Sequence, residues 1–194
     1  TTLAIWVGMT ILVSLVKVHA DAKGLGKLKP SQLYFGRYLT FFLLSQVQTF
    51  IIVLGDLYLL KIQCVHPVSF IVTGAVTSLT FSLLIYSLTI SFGDIGKALA
   101  VVVMVLQIAG SGGTYPIEAL PAFFRAVYIF FPFPYAINAM RECIGGMYEN
   151  ILGKCYITLL LFGAASLVIG LVIRKPFIRL NHFIEKRMED TEML

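Results

Sequence analysis

Long apolar runs divided by short polar links limit what this sequence can fold into more than any other feature. The runs from about Tyr38 to Leu60, Val68 to Phe92 and Tyr156 to Ile173 contain almost no charged side chains. An α-helix rises about 1.5 Å per residue, so about 20 apolar residues cross the ~30 Å hydrocarbon layer of a bilayer. Hydrophobic residues make up 58% of the 194 and charged residues 13%, against about 45–50% and 25% in soluble domains. Lipid must therefore surround most of these segments.

Two further apolar runs are shorter. They extend from Leu3 to about Val18 and from about Ala98 to Gly110, after a turn at 93–97. With the three long runs they predict an all-α integral membrane protein with about five transmembrane helices in a single domain, residues 1–194. The chain enters an apolar run directly after Thr1. We therefore expect it to be a fragment, with a helix and an extracellular region upstream.

Residues 111–154 break this pattern and predict a re-entrant helical hairpin at the outer surface. Gly and Pro are concentrated in Ser111–Pro116, and two apolar pieces follow, Leu120–Phe131 and Tyr135–Ile144. Each piece has about 10–12 residues, or about 15–18 Å of helix, which is too short to cross a bilayer. Irregular backbone of this kind survives within a membrane only where protein or a water-filled cavity surrounds it.

The basic residues indicate the orientation of the chain. Loop 17–37, turn 93–97 and tail 174–194 contain eleven of the fifteen Lys and Arg residues, and the links on the opposite side contain four. Because cytoplasmic loops are enriched in Lys and Arg, we expect loop 17–37 and tail 174–194 to be cytoplasmic. The expected location is a bacterial cell membrane, crossed several times. The basic residues lie between apolar runs and not on one surface, so the net charge of +5 does not indicate a nucleic-acid partner.

The hairpin sequence carries a family resemblance. Ser111–Pro121, which reads SGGTYPIEALP, and Phe130–Glu142, which reads FFPFPYAINAMRE, resemble the outer hairpin of ABC type-2 permeases. The chain as a whole resembles the C-terminal membrane part of the phage infection protein (YhgE/Pip) family. The resemblance implies an ABC type-2 permease fold and an exporter-like or secretion-associated role in the bacterial envelope.

The resemblance also implies partners. It implies a homodimer that works with a separate ATPase subunit. The chain has no GxxxxGK[ST] motif, so ATP would act only through that subunit and no cofactor is expected here. By the resemblance, loop 17–37 contacts the ATPase as a coupling loop; alternatively, its charges only interact with anionic lipid. The coupling residues would be Asp21, Lys23, Lys27 and Lys29.

Two functions stay open from the sequence. One is a permease that moves a lipophilic or envelope-related substrate or supports secretion. The other is a non-transporting membrane anchor for an extracellular receptor or secretion-scaffold domain of the phage-adsorption type. Enzymatic activity is not expected, because no Ser/His/Asp, HExxH or CxxC pattern occurs. The three cysteines lack metal-ligand spacing; either all are free thiols, or Cys143 and Cys155 form a disulfide.

Asp56 and Gln48 are candidate residues of a substrate path. A carboxylate in a spanning helix costs about 2.5–3.5 kcal/mol at the bilayer centre and less near its surface. Gln48 precedes Asp56 by eight residues, which places both on one helix face. Either this face lines the path, with Lys61, Arg125 or Arg141 as the partner of Asp56, or the carboxylate is hydrated at the membrane surface.

The hairpin residues form a second candidate group. Gly and Pro set the breaks in the backbone, while Asn138 and Glu142, four residues apart, share a helix face. The group is either a gate at the outer mouth of the path or a fixed structural plug. Its members are Gly112, Gly113, Pro116, Pro132, Pro134, Asn138, Arg141 and Glu142.

Gly74, Ser78 and Ser82 form a ridge of small residues in the third run. Such ridges let helices approach each other closely. The ridge serves either packing within the chain or a dimer seam.

Overall fold

A computed structural model of the chain describes residues 1–16, 30–113 and 121–173. Within these ranges all regular structure is helical. The α-helices are α1 (Thr2–Leu15), α2 (Pro30–Tyr58), α3 (Pro67–Phe92), α4 (Asp94–Gly110), α5 (Ala122–Val127), α6 (Phe133–Gly145) and α7 (Ile151–Val168). A 3-10 turn, Tyr128–Phe130, extends α5, and a π-helical turn, Ile169–Ile173, extends α7.

In the described ranges, three helices are long and apolar enough to cross a membrane. They are Ser31–Tyr58, Pro67–Phe92 and Ile151–Val172. The 14 residues of α1 and the 17 of α4 extend over only about 21 and 25 Å. The prediction of an all-α membrane fold is confirmed.

The helix boundaries differ from the predicted ones where polar residues continue a helix beyond its apolar run. α2 begins at Pro30 and not near Tyr38, and α4 begins at Asp94 and not near Ala98. Proline is favourable at the first position of a helix, because its missing N–H would have no partner there. Hydropathy marks the part of a helix that suits lipid, whereas backbone hydrogen bonding marks the whole helix.

α1, α3 and α7 run in one direction, and α2, α4 and α6 run in the other. Short connections make α2, α3 and α4 consecutive antiparallel neighbours. α7 is parallel to α3, since Thr80 contacts Leu159 and Ser91 contacts Ile169 through hydrogen bonds of 3.0 and 3.5 Å.

The two ends of the bundle are distinct. The end that contains residues 59–66 and 146–150 is called the link end, and the opposite end, which contains Gly93, is called the turn end. α1 begins at the link end, because the hydroxyl of Thr1 donates a hydrogen bond to the carboxylate of Asp56 near the end of α2.

α3 is the central helix, with buried residues on all of its sides. Its small polar side chains let the neighbouring helices approach closely, and their hydroxyls bond to those helices. Ser78 donates to the Ser45 carbonyl of α2 at 3.3 Å, and Thr80 donates to the Leu159 carbonyl of α7. The buried Ser and Thr residues of α3 are Thr73, Thr77, Ser78, Thr80, Ser82, Ser87, Thr89 and Ser91.

The predicted ridge of small residues packs against α2 within the chain. A Cβ atom at Gly74 would lie 2.7 Å from Val53 Cγ2. The hydroxyls of Tyr38 and Ser82 are 3.1 Å apart, and Ser78 is fully buried. Of the two interpretations of this ridge, packing within the chain is therefore the one that the structure supports.

Gly96 lets α4 pack directly against the backbone of α3. A Cβ atom there would lie 2.7 Å from the carbonyl carbon of Leu88 and 2.9 Å from the Cα of Thr89. Both neighbours are backbone atoms, which cannot rotate away. In the turn itself, Gly93 has a φ of 60°, a conformation that favours glycine.

We expect Gly96→Ala to destabilise the protein by about 1–3 kcal/mol, the usual cost of overpacking, because α3 and α4 must move apart. Gly36→Ala is the matched control, since a Cβ at Gly36 meets nothing within 4 Å and alanine is the better helix former. Thermal denaturation in detergent, followed by size-exclusion chromatography, compares the two variants. Equal melting temperatures would contradict the close packing of α3 and α4.

Candidate functional site at the broken hairpin

Two prolines divide the hairpin into two arms. The entry arm is α5 with its 3-10 turn, and the return arm is α6. Pro132 directly precedes α6, and Pro134 is its second residue. In the first turn of a helix, the missing N–H of proline removes no helical hydrogen bond. The prolines therefore end one arm and begin the next at Phe133, which we call the apex of the hairpin.

The apex lies in a cluster of three buried aromatic rings. The ring centroid of Phe133 is 5.3 Å from those of both Trp6 and Phe81, and Trp6 and Phe81 are 4.8 Å apart, edge to face. Such pairs contribute about 0.5–1.5 kcal/mol beyond the area that they bury. The Trp6 indole N–H donates to the Ala100 carbonyl of α4 at 3.2 Å. The cluster thus joins α1, α3, α4 and α6.

Gln107 of α4 caps the backbone of the apex. Its Oε1 atom accepts a hydrogen bond from the Phe133 N–H at 3.2 Å, and the residue is 0% exposed. The first N–H groups of a helix have no partner within the helix, and lipid offers none. Within the described part of the chain, Gln107 Nε2 has no hydrogen-bond partner. The buried amide therefore acts at the apex through its oxygen.

The other end of α6 is bound at the link end. The Cys143 carbonyl accepts the His66 N–H at 3.0 Å, and the Ile144 carbonyl accepts the Val65 N–H at 3.3 Å. Phe81 lies near the middle of α3, so α6 extends from the middle of the bundle to the link end. Its 13 residues cover about 20 Å. At this length α6 is too short to cross the ~30 Å hydrocarbon layer of a bilayer.

Two charged side chains of α6 bind neighbouring backbone near the link end. Arg141 Nη2 donates to the Gly112 carbonyl at 2.8 Å, and Glu142 Oε2 accepts the Tyr148 N–H at 2.7 Å. Gly112 has a φ of 67°, which favours glycine. Arg141 thus connects the end of α4 to the return arm, and Glu142 connects the return arm to the segment before α7.

The two arms differ in how they are packed. The entry arm has no buried residue, whereas α6 buries six, Cys143 among them. A small apolar cavity of about 20 Å³ lies between α4 and the entry arm, with Leu106, Phe124 and Phe131 in its lining. A segment with few buried contacts opens at low free-energy cost. The entry arm is therefore the easier of the two to move.

Asp56 and Gln48 face α1 and not the hairpin. The Asp56 side chain is 13% exposed and accepts the hydrogen bond from Thr1. The Gln48 carboxamide lies so close to Gly8 that a Cβ atom there would overlap it. Both polar residues of α2 therefore contact α1: Asp56 contacts Thr1 at the link end, and Gln48 contacts Gly8 further along α1.

Pairing of Asp56 with a basic side chain was one of the two alternatives for this residue, and the structure does not show it. Among the residues that the structure describes, Asp56 has no ion pair with Lys61, Arg125 or Arg141. The physical reason is that α1 covers the carboxylate, while Arg141 is directed at the Gly112 carbonyl.

The structure brings together only part of the predicted hairpin group. Pro132 and Pro134 lie at the apex, and Gly112 contacts Arg141. Gly113 and Asn138 are exposed. Five predicted residues lie outside the part of the chain that the structure describes: Pro116 of the hairpin, and Asp21, Lys23, Lys27 and Lys29 of the predicted coupling loop.

Comparisons with known proteins agree with this architecture. The family model described as "ABC-2 family transporter protein" matches residues 3–172. The chain belongs to the ABC-2 transporter family. YhgE of Bacillus subtilis (strain 168) is 32% identical to this ABC-2 protein over 111 residues, which are 57% of this chain and 14% of YhgE. The family resemblance is thus confirmed, although the chain spans only a small part of that relative. No solved structure matches this chain.

The sequence patterns did not single out Gln107 and Trp6 of this ABC-2 protein. Gln107 is the one polar side chain in the run Ala98–Gly110, which is the same kind of signal that drew attention to Asp56. Trp6 is the single Trp of the chain and lies within an apolar run, whereas Trp is enriched at membrane surfaces. Both signals were visible, but only the fold shows that these side chains meet near one point.

We expect Gln107→Leu to loosen the apex of the ABC-2 hairpin. The change leaves the Phe133 N–H buried without a partner, at a cost of about 1–3 kcal/mol. Gln63→Leu, at an exposed position of the link, is the matched control. Hydrogen–deuterium exchange should become faster across residues 131–140 in Gln107→Leu and stay unchanged in Gln63→Leu. Unchanged exchange in both variants would show that Gln107 does not cap α6.

Proposed function

We propose that this chain is the membrane permease component of an exporter-like ABC type-2 system in a bacterial cell membrane. It moves a lipophilic or envelope-related substrate or supports secretion. A separate ATPase subunit supplies the energy, and two copies of the permease pair. The observation that carries the proposal is the family match over residues 3–172, combined with a hairpin whose apex lies in the middle of the bundle.

In this proposal the hairpin is the outer gate. The return arm stays bound at the apex and at the link end, and the entry arm moves. Three features support this division: the entry arm has no buried residue, it borders a small apolar cavity, and Gln107 binds only the return arm. An apolar lining suits a lipophilic substrate. Arg141 limits the movement, because it connects α4 to the return arm through Gly112.

Asp56 and Gln48 border the path on the side of α1. A carboxylate that is 13% exposed within an apolar bundle is costly, and such residues in membrane proteins are most often functional. In the proposal their bonds to α1 set how far α1 and α2 separate when substrate passes.

The link end faces outwards in this proposal, and the turn end faces the cytoplasm. Lys61, Arg141 and Lys154 belong to the link end, whereas loop 17–37 and tail 174–194 carry most of the remaining basic residues. The positive-inside rule supports this orientation. The C-terminus is then cytoplasmic, and the charges of loop 17–37 face the ATPase subunit.

Cysteine labelling tests the orientation. In the full-length protein with its native cysteines replaced, Glu149→Cys at the link end should react with a membrane-impermeant maleimide on intact cells. Asp94→Cys at the turn end should react only after permeabilisation. Both positions are exposed, so the difference reports the side of the membrane and not burial. The reverse pattern would refute the orientation.

Purification of the full-length protein in mild detergent tests the permease function. We expect an ATPase subunit to co-purify. Replacing Lys23, Lys27 and Lys29 by Gln should reduce its recovery several-fold, because the coupling contact loses its charges. The matched control replaces Arg179, Lys186 and Arg187 of the tail, which removes the same charge elsewhere. Equal recovery with both triple variants would exclude loop 17–37 as the coupling loop.

A non-transporting anchor is the second candidate function. The observation in its favour is that this chain covers only 14% of YhgE, so most of that relative lies outside the matched region. If the full-length protein functions without ATP hydrolysis and recovers no ATPase, the anchor replaces the permease as the explanation.

A further inference from the structure

Two cysteines meet where the return arm of the hairpin reaches the link end. The Cys64 thiol donates to the Cys143 carbonyl, with a distance of 3.2 Å between Sγ and the oxygen. The next two residues of the link, Val65 and His66, donate their N–H groups to the same turn of α6. All three cysteines of the chain are free. We propose that Cys64 and Cys143 are a redox pair that closes to a disulfide.

The Cys64 thiol lies directly against the backbone of Cys143. Standard bond lengths of about 1.23 Å for C=O and 1.52 Å for Cα–C place Cys64 Sγ at most about 6 Å from Cys143 Cα, given the 3.2 Å contact. The Cys143 thiol is now 3.2 Å from the Thr73 hydroxyl. To form the bond, the Cys143 thiol has to leave Thr73 and change its side-chain rotamer so that it turns from α3 towards the link.

The accessibility of the thiols gives each cysteine a distinct role. Cys64 is half-buried, whereas Cys143 and Cys155 are buried. An oxidant therefore reaches Cys64 first, and Cys143 completes the bond. Cys155 lies in α7, and a pair of Cys143 with Cys155 would contain no thiol that an oxidant can reach. This favours the pair with Cys64 over the disulfide that the sequence left open.

The reaction is a thiol–disulfide exchange with an external disulfide of general formula RSSR. The Cys64 thiolate attacks one sulfur of RSSR, which forms a mixed disulfide and releases RS⁻. The Cys143 thiolate then attacks Cys64 Sγ, which forms the Cys64–Cys143 bond and releases the second RS⁻. The two protons of the cysteine thiols pass to the two RS⁻ groups. The cysteines lose two electrons, and the external disulfide gains them.

Closure of the pair replaces hydrogen bonds by a covalent connection between the link and the end of α6. The return arm then cannot leave the link end. The effect of this disulfide on gating rests on the proposed function, whereas the formation of the disulfide does not.

Peptide mapping of the full-length protein in native membranes tests the pair. Membranes are treated with membrane-permeant dithiodipyridine and digested without reduction, and the cross-linked peptides are identified by mass spectrometry. We expect a linkage between Cys64 and Cys143 in the wild-type protein and in the matched control Cys155→Ser. The linkage should be lost in Cys64→Ser, whose exchange of sulfur for oxygen at a half-buried link residue leaves the helices unchanged.

The outcomes separate the pair from the other proposals. A Cys143–Cys155 linkage, or a stable mixed disulfide on Cys64 with Cys143 still reduced, would overturn the pair. A second experiment adds to intact cells a charged aryl disulfide that cannot cross membranes. If the linkage forms with the permeant reagent but not with the charged one, the pair stands and the outward orientation of the link end fails.

Discussion

A helix that is broken inside a membrane leaves backbone N–H groups for which lipid offers no acceptor, and the hairpin depends on how this chain satisfies them. Pro134 has no N–H to satisfy. The Ala136 N–H bonds to the Pro132 carbonyl, and the Phe133 N–H bonds to Gln107. The proline-rich apex thus contains few unpaired donors, and one amide from a neighbouring helix is enough to cap its first residue. This explains why a single buried Gln lies in the otherwise apolar part of α4, Ala98–Gly110.

The position of the apex depends in turn on α3. Because many of the buried side chains of α3 are Ser and Thr, α2 and α7 pack closely against it. Phe81 of α3 contacts both Trp6 of α1 and Phe133 of α6. The Trp6 indole donates to the Ala100 carbonyl of α4. Gln107 lies seven residues after Ala100 and therefore on the same face of α4. The close approach at Gly96 fixes α4 against α3. The aromatic cluster and the capping amide are therefore positioned by the same packing.

The sequence predicted the membrane class, the order of the helices and the hairpin, because each depends on local properties of the chain. Hydropathy and helix rise are enough to find α2 and α3, and the spacing of Pro132 and Pro134 is enough to place the break. The partners of the polar residues could not be predicted in this way. Asp56 binds α1 and Arg141 binds Gly112, and both contacts join residues far apart in the chain. Periodicity places a side chain on a helix face but does not say which helix covers that face.

The unequal packing of the two arms limits how a gate at this position can work. Movement of the whole hairpin would break the cap at Gln107, the aromatic contacts of Phe133 and the backbone bonds to Val65 and His66. A buried donor left without a partner, such as the Phe133 N–H, costs about 1–3 kcal/mol, and the loss of the aromatic contacts adds to this cost. Movement of the entry arm breaks none of them, since that arm buries no residue. The prolines make such a division possible, because a chain without them would continue as one stiff helix and both arms would have to move together.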